Sequence, residues 1–258
     1  MPGQMDCLQC APIVVLAAME CEFMELCDAL EGTQTKRVGS HEFVTGALDG
    51  CPVVIGRTLI GVANAASATT EAIMAFSPRC IIIQGTAGAV SSIHMPGTIV
   101  LGKRIVCLGH YTPARRQAGE GISFEGRTYY PTEVLIDGEV AERDVFASDA
   151  QLLQIAQGVP YAHGSVVCGT VGASDVWNKE IDLMHHYREL TGVDCEDMES
   201  FAVAQICAAC NVPMLSVRIV SNNVFHPEMS FNPAWGTVCQ QFTLDVVRAL
   251  LERAHAFS

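Results

Sequence analysis

The run Cys80-Ile81-Ile82-Ile83-Gln84 does most to limit what this chain can fold into. Its apolar residues are consecutive rather than alternating, so both faces of the segment need cover. Interior strands of a parallel sheet with helices on either side have that pattern. The run passes straight into Gly85-Thr86-Ala87-Gly88, small residues that let a ligand approach the backbone closely. This turn is not a Walker loop, since no Gly-Lys-Ser/Thr follows, and it is not a dinucleotide fingerprint. Residues 13–18 and 214–220 read as buried strands of the same kind, and 98–108 and 163–170 extend the sheet.

Helical patterns lie between these strands. Residues 19–30 place Phe23, Leu26, Cys27 and Leu30 at helical spacing. Residues 63–76 form a helix rich in Ala and Ser, which Ser77-Pro78 ends. Ser148 is expected to cap a helix running to Ala156, and further helices are expected over 181–190, 201–210 and 238–256. Asp49-Gly50, between 41–48 and 52–59, is a hairpin signal. Over residues 109–146 the periodicity dissolves, and a stretch this long reads as a functional loop or an interface. Residues 171–178 read as a small-residue turn with an aromatic at its tip, and 225–235 as an irregular loop. The expectation is one α/β domain over 12–258, preceded by a poorly ordered leader over 1–11.

The charge balance bears on partners. Of 258 residues, 28 are Asp or Glu against 15 Lys or Arg, a formal net charge of −13. That argues against sequence-independent binding to nucleic acid or an anionic membrane, which needs clustered cations. No apolar run approaches the roughly 18 residues needed to span a bilayer. The start, Met1-Pro2-Gly3-Gln4-Met5-Asp6, lacks the basic region of a secretory signal. A soluble, cytoplasmic protein is expected. Most of the 12 cysteines, among them Cys80, Cys107, Cys168 and Cys207, sit in apolar runs where a thiol behaves as a small hydrophobe. The Cys-x-x-Cys pairs at Cys7/Cys10 and Cys207/Cys210 lack both the partner pair of a zinc site and the strand-to-helix setting of a redox motif. No metal and no organic cofactor are expected.

Polar residues collect where the strands end. Glu196, Asp197 and Glu199 crowd together just ahead of the apolar helix over 201–210. A carboxylate there suits the N-cap and the helix dipole, which accounts for one acid but not for three. Arg218, Ser221, Asn222 and Asn223 close the strand over 214–220, where open α/β sheets place their ligands. Glu20 and Glu22 follow the first strand and carry two readings: acids favoured in a first helical turn, or members of a site.

This ordered set resembles the nucleoside phosphorylase and nucleosidase superfamily. Within it the chain looks most like the 5′-methylthioadenosine/S-adenosylhomocysteine nucleosidases, over roughly residues 13–255. The resemblance rests on Ala18-Met19-Glu20-Cys21-Glu22, Gly85-Thr86-Ala87-Gly88, Met198-Glu199 and Arg218-Ile219-Val220-Ser221-Asn222. It implies a three-layer α/β/α fold around a mixed, partly barrel-like sheet. It also implies cleavage of the N-glycosidic bond of a small-molecule purine nucleoside by water, in a homodimer. Glu22 would orient or deprotonate that water. Glu199 would hold the ribose hydroxyls, with Met198 packed on the sugar. Thr86, Ala87 and Gly88 would line the ribose and base region, Val176 and Trp177 would grip the purine, and Asp197, Arg218 and Ser221 would complete the substrate-binding set.

The chain departs from that pattern at Asn222. The family's aspartate there donates a proton toward N7 of the leaving base, and Asn222 has none to give. Asn222 can still hydrogen-bond N7 and a 6-oxo group, so both 6-amino and 6-oxopurine nucleosides remain open. The nearest rival is a phosphorylase, which needs converging arginines for phosphate. Ala17, Ala18, Met19, Glu20 and Gln84 stand where those would be expected, leaving Arg57 as the one basic residue near a matching strand end. A binding or storage protein that kept the fold and lost catalysis is the rival of another class.

Overall fold

The computed structural model describes residues 11–256. The leader expected over 1–11 and the Cys7/Cys10 pair lie outside the described residues, Ala11 excepted.

Strands β1 (Ile13–Ala17), β2 (Glu31–Val38), β3 (His41–Leu48), β4 (Cys51–Arg57), β5 (Cys80–Ala89) and β6 (Ile99–Cys107) come first. Two small pairings follow: β7 (Tyr111–Thr112) with β8 (Thr128–Tyr129), and β9 (Thr132–Ile136) with β10 (Glu139–Arg143). Then come β11 (Val166–Ala173), β12 (Cys195–Asp197) and β13 (Met214–Asn223). The main sheet has nine strands in the order β12-β11-β6-β13-β5-β1-β4-β3-β2. An added pairing of β12 with β5 closes one end of this sheet into a ring. The β1–β5 and β5–β13 pairs are parallel, whereas β13 runs antiparallel to β6. This is the mixed, partly barrel-like sheet expected.

The helices are α1 (Met24–Asp28), α2 (Val62–Phe76), α3 (Ala150–Gln157), α4 (Ile181–Thr191), α5 (Ser200–Ala209) and α6 (Ala234–Ala256). Side chains of successive strand residues point to opposite faces, and the core divides accordingly. Ile13, Val15 and Ile82 pack with Leu26, Leu152, Cys239 and Phe242 from α1, α3 and α6. Val14, Leu16, Ile81 and Ile83 pack with Ala65, Ala72, Phe201 and Val203 from α2 and α5. Helices on both faces are what the uninterrupted apolar runs require, and each buried Ile contributes roughly 1.5–3 kcal/mol.

Several boundaries differ from expectation. The helix expected over 19–30 is a 3-10 turn, Glu20–Glu22, followed by the short α1. Ser148 does not cap α3; Asp149 does, its Oδ1 accepting from the backbone N–H groups of Gln151 and Leu152 at 2.9 and 3.0 Å. Ser148 is turned inward instead, its hydroxyl accepting from Ser216 N–H. The strands over 163–170 and 214–220 start or end several residues further along the chain, so Val171 to Ala173 belong to β11 rather than to a turn. The hairpin at Asp49-Gly50 is present, with both residues at positive φ, 50° and 76°. Within 109–146 the β9–β10 hairpin is regular structure that the sequence pattern did not reveal.

Candidate active site

The ends of β1, β5 and β13 and the short β12 meet at one cleft with about 650 Å³ of free volume, its open mouth included. That is the size range of small-molecule sites. Glu22, Thr86, Ala87, Gly88, Val176, Trp177, Asp197, Met198, Glu199, Ser221 and Asn222 all line it. Of the expected residues, only Arg218 does not reach the cleft. It is 1% exposed and lies behind the carboxylates, between Asp197 and Glu199.

Glu22 is buried by the turn that follows β1, and its carboxylate is held from three directions. Oε1 accepts from Thr86 N–H at 2.7 Å and from the Thr86 hydroxyl at 2.8 Å, and Oε2 accepts from Met19 N–H at 3.1 Å. Gly85 makes this approach possible. Its φ is +152°, and a Cβ there would stand 2.8 Å from Glu22 Cδ and 2.9 Å from Arg218 Nη1. Glu20, two residues earlier, points to solvent and pairs with Arg57 at 3.6 Å. Of the two acids after β1, one therefore belongs to the cleft and the other to the surface.

The three acids ahead of α5 do three different things. Asp197 Oδ1 accepts from the N–H groups of Glu199 and Ser200, both at 3.1 Å, and so caps the helix. Its Oδ2 is 2.7 Å from Arg218 Nε, whose N–H is aimed at the Ser200 hydroxyl 3.2 Å away, so the contact with Asp197 is ionic rather than a linear hydrogen bond. Glu199 Oε1 accepts from Gly61 N–H at 3.0 Å, and its Oε2 is 3.6 Å from Arg218 Nη1. Burial pushes the Glu199 carboxyl above the usual range, against the pull of Arg218 and with a push from Asp197. Glu196 also lines the cleft. It is 4% exposed, and its two oxygens accept from Asn178 N–H at 3.0 Å and Asn178 Nδ2 at 2.7 Å. Burial raises its pKa to about 7, opposed by the Asn178 hydrogen bonds and helped by Asp197.

The base-side wall is built from β13 and two loops. The Ser221 hydroxyl stands between the Ala87 carbonyl, at 3.2 Å, and the Asn222 side-chain oxygen, at 3.0 Å. Trp177 and Val176 are half exposed at the mouth, and the Trp177 ring meets Phe231 edge-on with centroids 6.0 Å apart. Ile60 and Phe231 also line the cleft and were not among the expected residues, whereas Glu196 was one of the three acids marked ahead of the helix. The loop residues Ile60 and Phe231 carried no signal. Among the described residues no group of three or more His, Cys, Asp and Glu side chains could hold a metal ion, and no helix is long and apolar enough to cross a membrane.

A cleft at the strand ends of a mixed α/β sheet is where such folds bind small molecules. The chain belongs to the Phosphorylase superfamily, whose model matches residues 12–252. Among curated relatives it is similar to a 5′-methylthioadenosine/S-adenosylhomocysteine nucleosidase of Bacillus cytotoxicus, 27% identical over 210 residues, 81% of this chain and 85% of that one. Among solved structures it is similar in fold to the enzyme of that name from Neisseria meningitidis in complex with methylthio-immucillin-A. There the TM-score is 0.73 at 23% identity, over 92% of this chain and 99% of that one. It is also similar in fold to the futalosine hydrolase of Helicobacter pylori, with a TM-score of 0.74 at 16% identity, over 93% and 98% of the two chains.

Proposed function

We propose that this protein hydrolyses the N-glycosidic bond of a purine nucleoside, releasing free base and a ribose derivative. The observation that carries this reading is the meeting of Glu22 and Glu199, far apart in sequence, in one cleft whose lining, among the described residues, contains no Lys, Arg or His. The transition state of glycosidic cleavage carries positive charge on the sugar, which carboxylates stabilise. Glu22, with both oxygens already oriented by Thr86 and Met19, takes a proton from the attacking water. Glu199 binds the ribose hydroxyls and Met198 packs against the sugar. Thr86, Ala87 and Gly88 line the ribose and base region, and Val176 and Trp177 hold the purine, with Ser221 and Asn222 at its edge. Arg218 acts from behind, holding Asp197 and Glu199, and Asp197 caps α5 from the cleft wall. No cofactor takes part.

Phosphorolysis would need cations where phosphate sits. Arg57, the residue that kept this rival open, is turned to Glu20, and Arg218 is occupied by Asp197 and Glu199. We further place the protein in the cytoplasm, in purine salvage, as a homodimer. Its buried thiols Cys80, Cys207 and Cys239 suit a reducing compartment, and the exposed Ile122, Leu135 and Val140 suit a subunit interface.

The test is incubation with adenosine, inosine, methylthioadenosine and adenosylhomocysteine, with and without phosphate, reading free base. Base release independent of phosphate is expected. Release that requires phosphate would make the protein a phosphorylase, and binding without release would make it a nucleoside-binding protein.

A further inference from the structure

Glu196 is a buried acid in the cleft to which the reaction described above gives no task. Its neighbours on every side are uncharged except one. Gly172 of β11 and Gly88 of β5 are its strand partners. Asn178, from the loop after β11, binds both its oxygens. On β13, Asn222 is paired with Gly88. The charged neighbour is Asp197, next to it in sequence, which raises its proton affinity further. Lys179, one residue beyond Asn178, is held over the Trp177 ring at 4.9 Å instead. A Cβ placed on Gly88 would touch both Asn222 Nδ2, at 3.3 Å, and Glu196 Cγ, at 3.7 Å. The two side chains therefore converge on the same small stretch of cleft wall, and no bulk separates them.

Burial outweighs the two bonds from Asn178 and brings the pKa of a carboxyl so placed to about 7, so a substantial share of it carries a proton at neutral pH. Asn222 beside it has no proton to give. Resting on the nucleosidase reading above, we propose that Glu196 is the acid of this cleft, donating its proton to a ring nitrogen of the leaving purine while Asn222 holds the base edge by hydrogen bonding. As the C1′–N9 bond breaks, its electron pair goes to the base, which takes the Glu196 proton. Water forms the new C1′–O bond and loses a proton to Glu22. Glu196 is left ionised and Glu22 protonated, and exchange with solvent after product release restores both. Gly88 leaves that stretch of wall open, and a Cβ there would crowd Asn222 Nδ2 at 3.3 Å.

The experiment compares a purine nucleoside found to be cleaved with 4-nitrophenyl riboside, whose phenolate leaves without protonation. Wild-type kcat on the purine nucleoside should fall as pH rises through about 7, while kcat on the nitrophenyl riboside should show no such limb. Glu196→Gln should lower kcat on the purine nucleoside by about 10²–10⁴-fold and change the nitrophenyl riboside rate by less than about threefold. Adding Asn222→Asp to that variant, which puts a carboxyl on the same patch, should recover at least about tenfold. A purely structural role for Glu196 predicts equal losses on both substrates and no recovery, and that result overturns the assignment alone. Release of neither base nor nitrophenol by the wild type overturns the hydrolase reading and this assignment with it.

Discussion

Replacing Arg218 by methionine leaves Asp197 and Glu199 buried without the cation they face. Removing one partner of such a pair costs about 3–5 kcal/mol, so Arg218→Met should show that loss in a denaturant titration. Glu22→Gln has the opposite profile: stability changes little, while kcat falls by about 10²-fold or more and the product base still binds. Glu196 gives a pH signature that needs no substrate. Its folded pKa of about 7 lies above the ordinary 4.5, so the fold prefers the protonated form. The resulting stability is complete below about 4.5 and is lost as pH rises to about 7. Glu196→Gln does not titrate. It should match the wild type near pH 4 and exceed it at pH 8 by up to about 3 kcal/mol, as thermal melts at the two pH values would show. The sequence made Glu22, Glu199 and Asn222 legible because each sits in a short motif at a strand end. It did not separate the jobs of Glu196, Asp197 and Glu199, since which acid caps the helix depends on which way β12 turns each side chain. It also suggested that Arg218 touches substrate, whereas its side chain is 1% exposed and held against Asp197 and Glu199 outside the cleft lining.

At the scale of elements, continuous apolar runs were the most legible, because burial on both faces leaves little choice of side chain. β1, β5 and β13 were all visible in that way. β2 was not: its residues are exposed apart from the last, so nothing in Glu31–Val38 alternates between core and solvent. It is held by pairing with β3 along one edge only. The β9–β10 hairpin escaped notice for the same reason, with Val134 its one buried residue. Helix α3 offers a control remote from the chemistry. Asp149→Ala removes two N-terminal hydrogen bonds and should cost about 1 kcal/mol without altering kcat. Gly85→Ala should cost both activity and stability, since a Cβ there strains the backbone and displaces Glu22 or Arg218.

At the scale of the molecule, the proposed homodimer predicts a particle of twice the 27.7 kDa chain mass in light scattering at micromolar concentration. Replacing Ile122, Leu135 and Val140 by polar residues should shift it toward the single chain. The sheet order carries a different consequence. β13, the last strand in the sequence, lies between β5 and β6, parallel to one and antiparallel to the other. During synthesis the edges of β5 and β6 therefore stay open while residues 108–213 are added. At about 5–20 residues per second, the wait for the joining strand lasts several seconds or more. Open apolar edges are templates for association with other chains, so a nascent chain halted before residue 214 should collect in the insoluble fraction while the finished chain does not. The strand that brings Asn222 to the cleft is also the one that ends this exposure, and the protein gains its active site and its safety from aggregation in the same event.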